Sequence, residues 1–158
     1  MIKTNKETII ACSVWIVICL TLSSLAGWVT GHNVHSWYAY LQKPSFNPPA
    51  WVFAPVWTVL YIMIGISGGL LWLRQKEMKA AYTLFLLQLF ANFIWSFLFF
   101  AWHQIGLALL DIMLLIILIA SIIITSLKQC KWAAYMLLPY LAWVMFAGVL
   151  NFYLWQLN

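Results

Sequence analysis

Five apolar runs of about 20 residues each, near 7–29, 50–73, 80–102, 105–127 and 132–155, leave this 158-residue chain few folds to choose from. A run of that length spans the hydrocarbon core of a bilayer as an α-helix. Within lipid, only helices and closed barrels satisfy their own backbone groups. The runs are continuous rather than alternating, so the expected fold is all-α: an integral membrane protein built as a five-transmembrane-helix bundle. The first run is too long for a signal peptide and lacks a small-residue cleavage site in the usual place, so it counts as a helix. Eight Lys+Arg and three Asp+Glu could not cover a globular surface. The last four helices are joined by short connections at 74–79, 103–104 and 128–131, which predicts antiparallel neighbours in a single domain over 1–158. An odd number of spans argues against a simple inverted-repeat transporter. The one long connection is the loop 31–49, and a loop of that length in a compact protein is often functional.

Charge sets the expected orientation. With the N-terminus inside, the cytoplasmic side carries Lys3, Lys6, Arg74, Lys76, Lys79, Lys128 and Lys131, and the opposite side only Lys43. That asymmetry predicts a cytoplasmic N-terminus, an outer C-terminus and a cell-membrane location. The basic residues are few and sit at helix ends, so the pI of about 9.2 does not point to nucleic acid. Trp28, Trp37, Tyr38, Trp72, Trp102, Trp132 and Trp155 fall at the same boundaries and read as interface anchors. Three cysteines without a CxxC suggest neither a disulfide framework nor zinc, and His32, His35 and His103 lack metal-ligand spacing, so no metal site is expected.

Polar residues at membrane depth should face the bundle interior or a cavity. At helical periodicity the second run aligns Trp51, Pro55, Thr58, Ile62, Gly65 and Gly69, the third aligns Gln88, Asn92, Trp95 and Phe99, and the fifth aligns Tyr140, Trp143, Ala147 and Asn151. Bulky aromatics with a few convergent amides describe the lining of a pocket for a flat apolar ligand. The alternatives are amides bonding helix to helix and a packed aromatic core. Asp111 is the one acid well inside an apolar run, either a functional carboxylate or an acceptor that ties helices together. No histidine or lysine lies at a matching depth, so conventional acid–base or triad chemistry has no support. Gly65/Gly69 and Gly27/Gly31 form GxxxG pairs, which serve either dimerisation or packing within the bundle.

The segments WYAYLQKPSFNPPAWVFAPVWTVLY (37–61), ANFIWSFLFF (91–100), GLALLD (106–111) and PYLAWVMFAGVLNFYLW (139–155) together resemble the tryptophan-rich sensory protein (TspO/MBR) family, which includes the mitochondrial translocator protein. The resemblance covers essentially the whole chain. It implies a five-helix membrane fold, commonly a homodimer. It implies a pocket for tetrapyrroles such as protoporphyrin IX and for benzodiazepine- and isoquinoline-type molecules. It also implies a light- and oxygen-dependent porphyrin degradation in which protoporphyrin IX is ligand and photosensitiser, with none bound covalently. Carried onto this chain, it places Trp51, Asn92, Trp95, Trp143, Ala147 and Leu150 at the ligand; with Tyr61 and, from the stripe of the third run, Gln88 and Phe99, these are the expected ligand-binding residues. Trp51 and Trp143, oxidisable indoles on separate helices, are the residues expected to take part in the photochemistry. A carrier or sensor with no chemistry of its own is the competing implication. Cholesterol is doubtful: Leu150 and Tyr153 are present, but Gln156 stands where the sterol-contact motif has its cation.

Four of the five prolines, Pro44, Pro48, Pro49 and Pro55, fall within twelve positions. Proline fixes φ and resists helix in the residue before it, so 43–50 is expected to be a stiff lid. Trp51 would then stand at the pocket mouth.

Overall fold

The computed structural model describes residues 4–158; of the orientation residues, Lys3 lies outside them. Helix α1 spans Asn5–Val34, a short α2 spans Trp37–Tyr40, α3 spans Ala50–Leu73, and α4 spans Lys79–Ser96 and continues as a π turn over Phe97–Ala101. Helices α5 (Ile105–Ser126) and α6 (Lys131–Leu157) complete the chain. Among the described residues, five of these helices are long and apolar enough to cross a membrane, and none of the residues is in a strand. The protein is a multi-pass five-helix bundle.

The start of α1 is fixed by a capping box. Thr4 Oγ1 accepts from the Glu7 amide at 3.3 Å, and the Thr4 amide donates to Glu7 Oε2 at 3.1 Å. Its other end extends five residues past the expected stop at 29, so the predicted loop 31–49 is helical in much of its first half. The cause is local: Asn33 Nδ2 donates to the Val29 carbonyl at 3.0 Å, and the His32 ring bonds the Trp28 carbonyl at 2.9 Å. These polar side chains bond back along the helix, and no proline stops it. Only 41–49 is irregular, and it holds Pro44, Pro48 and Pro49. Pro49 is the N-cap of α3, and α3 runs unbroken through Pro55.

The helices pack as a ring, with α3 between α1 and α6, α6 between α3 and α5, and α4 closing from α5 back to α1. The α1–α3 seam has almost no space between backbones. A Cβ on Gly65 would lie 2.5 Å from Ile16 Cα, and one on Gly69 would lie 2.6 Å from Cys12 Cα. Gly68 instead receives the Phe85 ring of α4, and Trp15 of α1 packs edge-on against that ring at 5.3 Å. The Gly65/Gly69 pair therefore serves packing inside the bundle. Gly27 and Gly31 meet nothing within 4 Å.

The π turn changes what α4 presents. Trp102 N bonds the Phe97 carbonyl, five residues back, at 2.8 Å. The extra residue lets consecutive Phe99 and Phe100 both turn inward, where they join Val29, Ala108 and Leu154 in a second apolar cluster at the loop end of the bundle. Trp37, Tyr38 and Leu41 pack on this cluster and cover it.

Candidate functional site

A chain of hydrogen bonds crosses the middle of the bundle. The Tyr61 hydroxyl on α3 donates to Asn92 Oδ1 on α4. Asn92 Nδ2 donates to the Tyr140 hydroxyl on α6 at 2.7 Å, and that hydroxyl donates to Gln88 Oε1 at 3.1 Å. All four residues are buried. Helical spacing explains the grouping: Gln88 and Asn92 are one turn apart on one face of α4, so Asn92 bridges the two tyrosines and Gln88 reaches Tyr140. Gln88 Nε2 is buried and has no partner.

Directly against this chain lies a small cavity of about 20 Å³, room for one water, lined by Trp57, Asn92, Trp95, Ile112, Leu115, Val144 and Ala147. It sits where α3, α4, α5 and α6 meet. Apart from Asn92 its walls are apolar, with Trp57 and Trp95 the large surfaces. Trp95 Nε1 donates to Asn151 Oδ1 at 3.3 Å, and Asn151 Nδ2 donates to the Ile105 carbonyl at 2.9 Å, which holds the Trp95 ring in place. Phe99 stacks behind Trp95 with centroids 5.2 Å apart.

The sequence-derived residues divide into three groups. Asn92, Trp95 and Ala147 line the cavity, and Tyr61 and Gln88 build the polar floor beneath Asn92. Trp143 and Phe99 stand one layer back. Trp143 packs edge-on against Phe53 at 6.0 Å, one turn before Trp57, while Phe99 belongs to the second cluster. Leu150 is buried on α6 outside the cavity wall. Trp51 is apart from all of them: it is 75% exposed, on the first turn of α3. The inward stripe of α3 is Phe53, Trp57, Tyr61, Ile64 and Gly68, rather than the stripe through Trp51, Pro55 and Thr58. Trp57, Ile112, Leu115 and Val144 are wall residues that the sequence reading did not single out. The spacing of Trp57 four residues before Tyr61 was the available signal.

The irregular segment 41–49 is tied down at both ends. On one side Lys43 Nζ lies 4.7 Å from the Tyr38 ring centroid, and the Tyr38 hydroxyl donates to Asn47 Oδ1 at 3.2 Å. Burial pushes the Tyr38 phenol above its usual value, and the Asn47 bond partly offsets this. On the other side the Gln42 amide donates to Asn158 Oδ1 at 2.9 Å, and Asn158 Nδ2 donates to the Gln42 carbonyl at 3.1 Å. Phe46 packs edge-on against Tyr153 at 5.3 Å. Two exposed hydrogen bonds contribute about 0.5–1.5 kcal/mol each. Asn158→Ala should therefore speed amide exchange at Gln42 by about tenfold while leaving the melting temperature nearly unchanged. Unchanged exchange at Gln42 would show that the pair does not hold the segment.

Comparison with known proteins gives a consistent result. The model of the TspO/MBR family matches residues 15–156. The chain is 38% identical over 158 residues to the tryptophan-rich protein TspO of Chlorobaculum tepidum, covering 98% of this chain and 99% of that one. It is 38% identical over 147 residues to the tryptophan-rich protein TspO of Archaeoglobus fulgidus, covering 90% and 94% of the two chains. It is 39% identical over 146 residues to the translocator protein of Homo sapiens, with 85% of each chain covered.

Proposed function

Because the chain belongs to the TspO/MBR family, we propose that its aromatic cavity is the closed form of a binding site for tetrapyrroles such as protoporphyrin IX, and that the bound porphyrin is degraded in light and oxygen. The observation that carries this reading is that Trp57 and Trp95, from separate helices, line one cavity together with the amide of Asn92. Two indoles on separate helices can sandwich or flank a flat ring. Isoquinoline- and benzodiazepine-type molecules are flat and apolar in the same way.

The cavity is far smaller than the roughly 300–1,000 Å³ typical of small-molecule sites. Binding therefore requires α3 and α6 to part near Phe53 and Trp143, with segment 41–49 moving as a cover. In the proposed reaction, excited porphyrin activates oxygen and an adjacent indole serves as an oxidisable partner. The protein's part is to orient the ring and hold reactive products. Trp57 faces the cavity and Trp51 does not, so Trp57 takes the place of Trp51 beside Trp143, which stands in the layer behind. The same proposal places the N-terminus inside the cell membrane and the C-terminus outside, and makes the protein a homodimer, as the charge asymmetry and the family habit suggest.

The test is a titration of purified protein with protoporphyrin IX, read by absorbance shift, followed by fixed illumination in air. A product that forms only with protein supports degradation. Binding with bleaching identical to free porphyrin supports the carrier or sensor reading, and no saturable binding overturns both. Trp57→Phe should keep most of the affinity and lose most of the protein-dependent product, whereas Trp51→Phe should behave as wild type. Equal yields from the two variants would remove Trp57 from the chemistry.

A further inference from the structure

Asp111 is the single carboxylate inside the membrane-spanning helices α3 to α6. It lies on the α5 stripe formed by Ala108, Asp111, Leu115, Leu118 and Ile122. The other four residues of that stripe are buried. Asp111 is half-buried, one turn from Leu115 and next to Ile112, both of which form the cavity wall. Asp111 therefore borders the two α5 wall residues on the side toward Ile105, and it is the one member of that stripe that is not fully buried.

Its Oδ2 is buried and has no hydrogen-bond partner. Tying helices together would need a donor from α4 or α6, and none bonds Asp111 Oδ2: Gln88 Nε2 on α4 is itself left without a partner, and the other polar groups near this end are engaged with one another. Trp95 Nε1 donates to Asn151, Asn151 donates to the Ile105 carbonyl, and the Tyr140 hydroxyl donates to Gln88. A carboxylate at membrane depth is costly to bury without a partner, which makes Asp111 a candidate for contact with a ligand.

We propose that Asp111 makes the Ile105 end of the cavity a subsite for an N–H donor on the ligand, with a protonated amine on a flat aromatic ring as the best match. This rests on the cavity being a ligand site. It adds a selectivity: groups that donate hydrogen bonds are drawn to this end, and carboxylates are repelled from it. A tetrapyrrole bound here turns its carboxylates away from α5.

Two probes of one shape test this without relying on porphyrin: 9-aminoacridine, which is cationic at neutral pH, and acridine, which is largely neutral. Binding is read by fluorescence in the same micelles. Wild type should prefer the amine, and Asp111→Asn and Asp111→Leu should each lower the ratio of the two affinities by about tenfold, the loss expected for a hydrogen bond to a charged group. A second measurement uses only wild type: dicyclohexylcarbodiimide should modify Asp111, located by peptide mass, and saturating 9-aminoacridine should slow that labelling. An unchanged affinity ratio in folded variants overturns the proposal. So does labelling that the amine does not slow, or failure of wild type to bind the amine. Asp111-dependent amine binding together with no saturable binding of protoporphyrin IX would remove the tetrapyrrole reading and leave the subsite standing.

Discussion

Replacing Gly65 and Gly69 together by valine should abolish the folded bundle, and either single alanine should cost about 1–3 kcal/mol. The added Cβ at each position would meet backbone rather than a movable side chain: Ile16 Cα at 2.5 Å and N at 2.7 Å from Gly65, and Cys12 Cα at 2.6 Å and N at 2.7 Å from Gly69. Backbone cannot rotate out of the way, so α1 must move off α3 and the seam loses close contacts along its length. In lipid those contacts are a main source of helix association, because the bilayer is as apolar as the side chains it would replace. Gly27→Ala and Gly31→Ala are the matched controls. Both glycines are helical and meet nothing within 4 Å, so these changes should be neutral or stabilise by up to about 1 kcal/mol. Reversible unfolding in mixed micelles, followed by circular dichroism, measures all four single variants. Equal effects at the two glycine pairs would refute the close-seam account.

Asn92→Leu should lower stability by about 2–4 kcal/mol. Two bonds disappear, and the Tyr61 hydroxyl is left buried with no acceptor. Tyr140 keeps its bond to Gln88 and loses its donor. The accounting predicts a coupling: Tyr61→Phe removes the stranded hydroxyl, so the double variant Tyr61→Phe/Asn92→Leu should lose less than the two single losses added together. Thermal unfolding of the four proteins in one detergent gives the cycle. A cost below about 0.5 kcal/mol for Asn92→Leu would mean that the buried chain contributes little and that the amide serves only a ligand.

The five spans were legible because bilayer-length apolar runs are a strong signal. The rest was harder for physical reasons that particular residues show. Helix α3 is apolar on every face near its start, so periodicity could not set its phase, and the stripe was drawn through Trp51 when Trp57 points inward. Amides carry more information than aromatics: Gln88 and Asn92 on α4 were correctly turned to the interior, since lipid rejects them. His32 and Asn33 looked like loop residues, yet each bonds the carbonyl four residues back and prolongs α1. The π turn at 97–101 has no proline or glycine to announce it. It moved Phe99 from the presumed pocket stripe into a cluster beyond it.

That π turn also decides where α4 is compliant. A regular α-helix resists bending because each turn is strapped to the next by evenly spaced bonds, whereas a π turn interrupts the series and concentrates curvature there. Below it, Gln88 and Asn92 are locked into the transverse hydrogen-bond chain. Within it, Phe99 and Phe100 pack into the outer apolar cluster. Bending of α4 is therefore concentrated in its last five residues, while its midsection stays fixed. When α3 and α6 part in the proposed binding step, the amide floor of Gln88 and Asn92 keeps its shape, because it lies on the regular part of α4.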